Sequence, residues 1–348
     1  MVADPGGAAL GTAHYSDSSQ ISLRLLSERV ETIDRAFYLR RIAAAEAHRK
    51  RVVADSDAYR LVHGEGDGLP GLVIDRYGEY FTLQTLDQGM DRAKAEIESC
   101  LEELFAPKGI AERNDASVRK REALPLQSGV LAGEVPETVA VRMNGLKLHC
   151  DLLHGQKTGI FLDQRENYIA AARYGRGRAL DCFTSTGCFA LHLAARCESV
   201  EAVDSSESSL RVAGMNCDAN GIKNVELREA DVFELLAGHA KAHRHFDIVV
   251  LDPPAFAKSR QSLDAAIRGY GEVNRRALEL LGPGGILVTC SCSHHLSEAT
   301  LLEIVAKASL DTGRKLRVLE RRMQAQDHPV LLTVPETLYL KCLIMEVI

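Results

Sequence analysis

Tryptophan is absent from the 348-residue sequence, and aromatic residues make up only 5% of it. Proteins that bind single strands along an extended groove stack successive bases on aromatic side chains. Since few such side chains are present, any recognition of a base should be concentrated in one pocket. An excess of positive charge is also missing, because the formal net charge is -6. This charge argues against a protein that coats nucleic acid by bulk electrostatics, although a local basic patch can still contact phosphates.

Long apolar runs and secretion signals are missing as well. No uninterrupted apolar stretch approaches the ~18 residues that a membrane-spanning helix needs, which excludes a membrane protein. The first ten residues lack the positive start and apolar core of a signal peptide, so the nine cysteines are interpreted as reduced thiols in a cytoplasmic protein. No Cys-x-x-Cys pair or Cys/His quartet has zinc spacing, and we expect no metal site.

Length and pattern divide the chain into three parts, with boundaries at residues 1–26, 27–154 and 155–348. The first part is too short for a domain. The second part begins with a helix and continues with short strands, which indicates a linker helix followed by a small α+β domain. Its predicted elements are helices over 30–53 and 91–104, strands over 59–62, 71–75 and 80–85, a strand near Gly109, and a hairpin turn at Asn144 and Gly145. In the first part, the alternation over 21–25 predicts a strand.

The third part alternates strands and helices. The pattern predicts strands over 179–183, 199–204, 225–229, 246–251 and 285–290, and helices over 165–174, 188–195, 208–220 and 270–281. Alternation at this spacing is typical of a parallel sheet whose two faces are covered by helices. The predicted fold class is therefore α/β, with a doubly wound, Rossmann-like sheet whose ligands belong at the carboxyl ends of its strands.

The first strand of this sheet is not followed by the glycine pattern of a dinucleotide-binding fold. The positions that would hold those glycines are Phe183, Ser185 and Gly187, so one glycine remains. The glycines allow the backbone to approach a pyrophosphate, and their loss disfavours NAD. S-adenosylmethionine carries no phosphate, and a looser turn with one close backbone approach is sufficient for it.

Carboxylates follow three successive strands of the third part. Asp181 is placed to bind the ammonium group of S-adenosylmethionine directly or through water, Asp204 to accept both ribose hydroxyls, and Asp231 to accept the adenine amino group. A single carboxylate after a strand is weak evidence, because it can simply cap the next helix. Three carboxylates after three strands favour S-adenosylmethionine as the cofactor.

The fourth strand ends in an Asp-Pro-Pro turn. Asp252 follows a fully apolar strand, and Pro253 and Pro254 prevent the chain from continuing as sheet or helix. Together with Phe256 this turn provides a fixed acceptor beside an apolar wall, which suits a planar base that has been flipped into a pocket. A plain strand terminator is the alternative interpretation.

The fifth strand brings Cys290 and Cys292 to the same edge of the sheet. Cys290, as the last strand residue, is interpreted as a small buried hydrophobe. Cys292 lies just beyond the strand, between Ser291 and Ser293, where a thiolate could face the pocket. Carbon 5 of cytosine becomes nucleophilic only after a thiolate adds to carbon 6, whereas methyl transfer to a nitrogen needs no thiol.

Cations are concentrated in the segment RNDASVRKRE, which begins at Arg113. Arg119, Lys120 and Arg121 are candidates for contacts with RNA phosphates. A solvated surface loop is the alternative, and composition does not decide between the two.

At these residues the chain resembles the bacterial ribosomal RNA cytosine-C5 methyltransferases that act on 23S RNA of the large subunit. The resemblance extends over nearly the whole chain. The segments that carry it are YRLVHGEGDGLPGLVIDRYG, RNDASVRKREALP, GQKTGIFLDQREN, DCFTSTGCFALHLA, FDIVVLDPPAFAKSR, SCS and RRMQAQDHPVLLTVPETLYLK.

The resemblance implies a domain order and several site residues. It implies that 1–26 is the remaining portion of a PUA domain, that the central α+β domain follows, and that 155–348 is a class I S-adenosylmethionine-dependent methyltransferase domain. The thiol between two serines is the nucleophile of that family, which implies this role for Cys292. The aspartate of its Asp-Pro-Pro turn contacts the cytosine, which implies that role for Asp252. The GQKTGIFLDQR segment implies that Thr158, Asp163 and Arg165 line the cofactor pocket.

The resemblance also implies a partner, 23S ribosomal RNA, and leaves a homodimer open. Two alternatives remain. One is a methyltransferase acting on the N2 or N7 nitrogen of guanine, in which Cys292 would have no role in the reaction. The other is an RNA-binding assembly factor without turnover, although such a protein has no need of a cofactor pocket.

Overall fold

The structure, a computed structural model, describes residues 1–155, 157–256 and 263–348. Its contacts divide the chain into two units. The first unit comprises Met1–Asp163 and Gln326–Thr337, and the second comprises Gln164–Ala325 and Leu338–Ile348. Each unit is therefore built from two separate stretches of the chain.

The first unit begins with a small antiparallel sheet and a long helix. The sheet contains β1 (Val2–Ala3), β2 (Ala9–Tyr15) and β3 (Leu23–Ser27) in that order. The helix that follows, α1 (Arg35–Val52), starts several residues later than the predicted start at residue 30. The reason is a cap: the side chain of Asp34 accepts a hydrogen bond from the backbone N–H of Phe37, which fixes the first turn.

A five-stranded sheet forms the body of the first unit, in the order β4-β5-β6-β7-β8. Its strands and helices are β4 (Ala58–His63), β5 (Leu72–Tyr77), β6 (Tyr80–Thr85), α2 (Gln88–Arg92), α3 (Lys94–Phe105), β7 (Gly109–Asn114) and β8 (Gln127–Gly133). Strands β6 and β7 pair in parallel across the helical connection, and the other neighbours are antiparallel. The single helix predicted over 91–104 is two helices, because Ala93 leaves helical geometry between them. The small α+β architecture agrees with the prediction.

The predicted hairpin connects β9 (Val139–Met143) with β10 (Leu146–Cys150) in the first unit. Its two turn residues, Asn144 and Gly145, have φ values of 55° and 78°. Asparagine and glycine adopt this left-handed conformation more easily than other residues, and the turn matches the twist of the strands.

The second unit contains a seven-stranded sheet in the order β13-β12-β11-β14-β15-β17-β16. The strands are β11 (Arg178–Cys182), β12 (Ser199–Asp204), β13 (Val225–Glu229), β14 (Phe246–Leu251), β15 (Leu281–Ser291), β16 (Leu316–Arg322) and β17 (Lys341–Val347). The helices are α4 (Arg165–Ala172), α5 (Cys188–Ala194), α6 (Glu207–Ala219), α7 (Val232–Lys241), α8 (Leu263–Glu279) and α9 (Glu298–Asp311).

Burial explains why the central strands of this sheet are parallel. In β14 the residues from Ile248 to Leu251 are all fully buried, so both faces of the strand are covered. Such strands read as continuous apolar runs and are characteristic of doubly wound α/β folds. Strands β11 to β15 pair in parallel, as predicted. The sheet is not parallel throughout, because β17 runs antiparallel between β15 and β16.

The division into units differs from the predicted parts at two places. The structure groups residues 155–163 and Gln326–Thr337 with the first unit, whereas the sequence assigned both to the third part. The second difference arises because the chain returns to the first unit after more than a hundred residues, and local patterns do not show such a return. The identification of residues 1–26 with a PUA domain stays a prediction. Within the described ranges, no helix is both long and apolar enough to span a bilayer.

Candidate active site

Four of the predicted site residues lie at one edge of the seven-stranded sheet. Cys182, the last residue of β11, is paired with Val203 on one side and Leu251 on the other. Asp204 and Asp252 directly follow these two partners, and Asp181 precedes Cys182. Cys292 follows the end of the next strand, β15. Because the carboxyl ends of parallel strands meet at one edge, the structure brings these side chains to the position where doubly wound folds bind ligands.

Asp181 is a fully buried carboxylate with one satisfied oxygen. Its Oδ2 accepts hydrogen bonds from the Thr184 hydroxyl at 2.5 Å and from the Ala190 backbone N–H at 3.0 Å. Its Oδ1 is buried and has no hydrogen-bond partner within the described part of the chain. Burial raises the pKa of Asp181 to about 7. The negative charges of Asp252 and Asp204 also raise this pKa, whereas the two hydrogen bonds lower it. Such a carboxylate is suited to a cationic ligand group.

The loop after Asp181 has an unusual backbone. Phe183, Ser185 and Gly187 all lie in the left-handed region, with φ values of 63°, 50° and 85°. These are the three positions at which a dinucleotide-binding fold would have glycines. The left-handed conformation costs a residue with a side chain about 1–3 kcal/mol and often occurs at functional sites. The glycine pattern is therefore lost in the sequence, while left-handed backbone persists at all three positions.

Asp204 fastens this loop. Its Oδ2 accepts the backbone N–H of Ser185 and its Oδ1 that of Ser206, each at 2.9 Å. The carboxylate is half-buried. Since an ionised carboxylate has about four acceptor positions, two remain for other donors. The predicted contact with the ribose hydroxyls is compatible with this geometry and stays a prediction.

Asp231 is the N-cap of α7. Its Oδ1 accepts the backbone N–H of Glu234 at 3.0 Å, and the residue is exposed. The capping role that the sequence left as the alternative is therefore present. A contact with the adenine amino group remains a prediction for the second carboxylate oxygen.

The Asp-Pro-Pro turn follows β14 as the sequence predicts. Asp252 is half-buried, and its backbone N–H lies 3.4 Å from the carbonyl oxygen of Cys182. Pro253 is buried and Pro254 is exposed. The turn thus holds the Asp252 side chain next to the end of β11.

Phe256 forms part of an aromatic cluster with two helical residues. Its ring centroid lies 4.8 Å from that of Tyr270 on α8 and 6.2 Å from that of Phe233 on α7. This packing supports the predicted apolar wall beside Asp252. The end of the FDIVVLDPPAFAKSR segment, residues 257–260, lies outside the described residues, as does Gln156 of the GQKTGIFLDQR segment.

Cys292 differs from every other cysteine of the chain in its exposure. The eight others are buried, and Cys292 is half-buried. Its neighbour Cys290 is fully buried and lies opposite Cys342 in the β15–β17 pair. The Cys342 thiol and burial together raise the pKa of Cys290 well above its usual range. The structure therefore supports the interpretation of Cys290 as a core residue and leaves Cys292 as the accessible thiol.

The serines on either side of Cys292 are both hydrogen-bonded to Tyr270, a residue that the sequence analysis did not identify as part of the site. The Tyr270 hydroxyl lies 3.0 Å from the Ser291 Oγ and 3.1 Å from the Ser293 Oγ, and both serines are fully buried. No local pattern marks Tyr270, because it sits in the middle of a helix in which aromatic residues are usual core residues. Its effect is to fix both flanks of the cysteine.

The three predicted residues of the GQKTGIFLDQR segment fall into different units. Thr158 and Asp163 belong to the first unit and Arg165 to the second. The buried Thr158 hydroxyl donates to the Asp75 carboxylate at 2.5 Å. Asp163 is buried and accepts a hydrogen bond from Lys157 at 2.6 Å, and the buried Arg165 lies 3.6 Å from Glu166. Their place in the cofactor pocket stays a prediction.

One predicted RNA contact is wrong in this structure. Arg119 is fully buried, and its guanidinium donates to the Asp91 carboxylate at 2.9 Å and to the Pro125 carbonyl at 2.9 Å. The arginine therefore stabilises the first unit and does not reach a phosphate. Lys120 and Arg121 are exposed and remain candidates.

Across residues 1–155, 157–256 and 263–348, no group of three or more His, Cys, Asp or Glu side chains is arranged to hold a metal ion.

Comparison with known proteins identifies relatives over almost the full chain. The family model described as S-adenosylmethionine-dependent methyltransferase matches residues 60–344. A Klebsiella pneumoniae protein named ribosomal RNA large subunit methyltransferase I is 41% identical over 98% of this chain and 87% of its own length. A protein of the same name from Shewanella amazonensis is 43% identical over 98% of this chain and 88% of its own length.

Solved structures show the same fold at lower sequence identity. A SAM-dependent methyltransferase from Streptococcus mutans has a TM-score of 0.84 and 22% identity, covering 98% of this chain and 89% of its own. The methyltransferase SMU.776, solved in complex with SAH, has a TM-score of 0.86 and 23% identity, with the same coverage. These likenesses show the class I methyltransferase fold. Together with the family model, they establish that the chain belongs to the family of S-adenosylmethionine-dependent methyltransferases and uses S-adenosylmethionine as its cofactor.

Proposed function

We propose that this protein methylates carbon 5 of a cytosine in the RNA of the large ribosomal subunit, and that Cys292 forms a transient covalent bond with the base. The substrate class rests on the relatives, which are named as large-subunit ribosomal RNA methyltransferases and align with 98% of this chain. The acceptor atom rests on one observation. Cys292 is the half-buried thiol at the ligand-binding edge of the sheet, while the other eight cysteines are buried.

The chemistry of carbon 5 explains why a thiol is needed there. The Cys292 thiolate adds to carbon 6, forming a sulfur–carbon bond while the electron pair of the 5,6 double bond moves to carbon 5. Carbon 5 takes the methyl group of S-adenosylmethionine, and the demethylated cofactor is released as S-adenosylhomocysteine. A base then removes the proton of carbon 5, and the electron pair of that C–H bond restores the 5,6 double bond. The sulfur–carbon bond breaks, and Cys292 leaves as a thiolate.

The residues around Cys292 suit the binding of a flipped cytosine. Asp252 supplies a carboxylate acceptor for the exocyclic amino group, and Phe256 supplies an apolar surface beside it. Tyr270 holds the two serines that flank the nucleophile. Because the tyrosine is buried and bonded to both serines, the Cys292 backbone is fixed before the base arrives, which reduces the entropy lost on binding.

The cofactor fits the same edge of the sheet. The buried Oδ1 of Asp181 has no partner within the described residues, and an ammonium group would satisfy it. Asp204 has acceptor positions left for ribose hydroxyls beyond its bonds to Ser185 and Ser206. We therefore assign Asp181 and Asp204 to the cofactor, and Asp252 to the base.

Methylation of a guanine nitrogen is the second candidate function. It requires the same Asp252 and Phe256 to orient the base and gives Cys292 no covalent role. Its support is that the fold alone does not distinguish acceptor atoms. An assembly factor without turnover is disfavoured, because its fold would not need the unsatisfied Asp181 carboxylate.

The test is a trapped adduct. 23S ribosomal RNA transcribed with 5-fluorocytidine in place of cytidine is incubated with the full-length protein and S-adenosylmethionine. Fluorine at carbon 5 cannot leave as a proton does, so wild-type protein should stay bonded to the RNA through denaturing electrophoresis. Cys292→Ala should give no adduct and no methyl incorporation into unmodified 23S RNA.

Cys290→Ala is the matched control, since it removes a thiol two residues away and should still form the adduct. Retained methyl transfer by Cys292→Ala, or an adduct that maps to another residue, would contradict the cytosine mechanism. The nitrogen-methylating function would then be favoured.

A further inference from the structure

A buried lysine lies beneath the loop that carries Cys292. Lys341 is the first residue of β17 and pairs with Ser291 at the end of β15. It is only 6% exposed. Its ammonium group donates to the carbonyl oxygen of Ser293 at 2.7 Å and to that of Tyr339 at 2.8 Å. The first of these bonds fixes the residue that directly follows Cys292.

The charge of this lysine is not balanced by a carboxylate in direct contact. Within the described ranges, its ammonium forms no ion pair, and both of its acceptors are backbone carbonyls. A buried ammonium without a counter-ion is costly, so a nearby negative charge is expected. The charge of Glu298 also raises the pKa of Lys341, but this carboxylate is itself paired with Arg321. Cys292 directly precedes the Ser293 carbonyl that this ammonium contacts, and a negative charge on its thiol raises the pKa of Lys341 more than the charge of Glu298 does.

From this geometry we propose that Lys341 is a positioning residue for Cys292. Its charge favours the thiolate form of the cysteine, and its bond to the Ser293 carbonyl holds the loop in place. The inference rests on the proposed function in one respect, namely that Cys292 acts as a nucleophile. Lys341 itself does not contact the substrate.

The other titratable groups around Cys292 do not supply this positive charge. Burial raises the pKa of Tyr270 on α8, so it is neutral at pH 7. Burial and the charges of Lys341 and His295 lower the pKa of His294. Asp252 after β14 and Glu298 at the start of α9 are acids, and their charges oppose a thiolate.

Lys341 remains mostly charged at neutral pH. Burial lowers its pKa to about 8, while the Cys292 thiolate and Glu298 act in the opposite direction. At pH 7 the ammonium form therefore predominates. Above about pH 8 the lysine loses its proton, and the effect on the cysteine should disappear together with the charge.

The test measures the thiol itself, without RNA or cofactor. Full-length protein is alkylated with iodoacetamide from pH 6 to 10, and peptide mass analysis follows modification of Cys292. Cys292→Ala gives the background from the buried cysteines. Since an opposite charge at short range changes ionisation by about one pH unit or more, we expect Lys341→Met to slow alkylation at pH 7 about tenfold. At pH 10 the two proteins should react at equal rates, because the thiol is then ionised in both.

Two comparisons separate charge from packing. Lys341→Arg keeps the charge and should restore at least part of the rate at pH 7. If Lys341→Met slows alkylation equally at pH 7 and pH 10, the lysine acts only on the access or packing of the loop, and the proposal is wrong. A rate at pH 7 within twofold of wild type would also overturn it.

The wild-type profile alone provides a second measurement if Lys341→Met does not fold. The half-maximal rate for Cys292 should then lie below about pH 8.5, the value for a free cysteine. A half-maximal rate at or above that pH contradicts the proposal. Failure of the RNA adduct with a normal alkylation result would instead contradict the proposed function and leave the lysine–thiolate pair intact.

Discussion

Two buried arginine–carboxylate pairs of the first unit contrast with two buried charged side chains at the ligand-binding edge of the second unit. In the first unit the fully buried Arg49 donates to both carboxylate oxygens of Asp67, and Arg60 donates to both oxygens of the buried Asp75. In the second unit, Asp181 and Lys341 are just as inaccessible, and neither forms an ion pair within the described residues. The cost of burying a charge is therefore offset by an opposite charge in the first unit, but not at the ligand-binding edge of the second.

Paired buried charges contribute to the stability of the fold, whereas unpaired buried charges are available to a ligand or a reacting group. A buried charge with a fork-shaped partner is fixed in a single geometry and stabilises the fold only as long as both partners are present. A buried charge without a partner destabilises the ligand-free protein and gains most when a ligand or a thiolate supplies the opposite charge. Three variants can break or sharpen this comparison.

The largest effect is expected from Arg49→Met in the first unit. The change removes one partner of a buried pair and leaves Asp67 without its counter-charge, which should lower the free energy of unfolding by about 3–5 kcal/mol. Urea denaturation measures this loss. Arg40→Met is the matched control on the same helix, because the Arg40 side chain is 61% exposed in its pair with Glu31. The control should cost less than about 1 kcal/mol. If both variants lose the same free energy of unfolding, burial of the Arg49–Asp67 pair does not explain its contribution to stability.

Asp181→Asn in the second unit should instead raise the free energy of unfolding. The pKa of Asp181 is raised to about 7 in the folded state, so its contribution to stability is complete below its unfolded value of 3.8 and is lost as the pH rises towards 7. Asparagine does not titrate. Ligand-free Asp181→Asn should therefore gain stability over wild type between pH 4 and 7, by on the order of 2–4 kcal/mol, with no further change above pH 7.

The same variant should lose affinity for S-adenosylmethionine. A charge-assisted hydrogen bond contributes roughly 1.5–3 kcal/mol, which corresponds to a loss of about ten- to a hundredfold at pH 8 by calorimetric titration. Wild-type affinity should rise with pH up to about 7, because the ammonium group prefers the ionised carboxylate. An Asp181→Asn protein that binds the cofactor as wild type does would sink the assignment of this carboxylate.

The smallest effect is expected at the surface of the first unit. Lys120 and Arg121 are exposed, whereas their neighbour Arg119 is buried in its pair with Asp91. Replacing both exposed cations by glutamine should change stability by less than about 0.5 kcal/mol. It should reduce the slope of log affinity for 23S RNA against log salt by about 1.5 if each cation contacts a phosphate.

Lys307→Gln combined with Lys315→Gln removes two exposed charges from the second unit and serves as the control. It should leave the salt slope unchanged. A wild-type slope in the Lys120 and Arg121 variant would show that this segment is only a solvated surface.

Local patterns predicted the elements on which the site depends. The bounds predicted for β12, β13 and β14 agree with the structure, because apolar runs between turn residues define buried parallel strands. The same patterns placed Cys292 beyond the end of its strand and next to the Asp-Pro-Pro turn. Fold class and the position of the thiol were therefore accessible from the sequence.

Local sequence patterns did not predict which cations are buried or which distant strands pair. The run from Arg119 to Arg121 looks uniform in the sequence, yet its first residue points into the core, and side-chain direction in a short irregular segment has no period. Lys341 lies 49 positions after Cys292 and comes to the end of β15 because β17 pairs with that strand. Strand order within a sheet is a tertiary property that no local window contains.

The return of Gln326–Thr337 to the first unit constrains how the chain can be made. Asp327 in that segment gives its carbonyl oxygen to Arg49 at 2.8 Å and its carboxylate to the Arg60 backbone N–H at 2.9 Å. During synthesis from the amino terminus, Arg49 and Arg60 are made 278 and 267 residues before this partner. The closing residues, Leu338–Ile348, then supply β17 to the second unit. Neither unit is complete before residue 337 has been synthesised, and a ribosome that stops at residue 325 releases a chain in which both are unfinished.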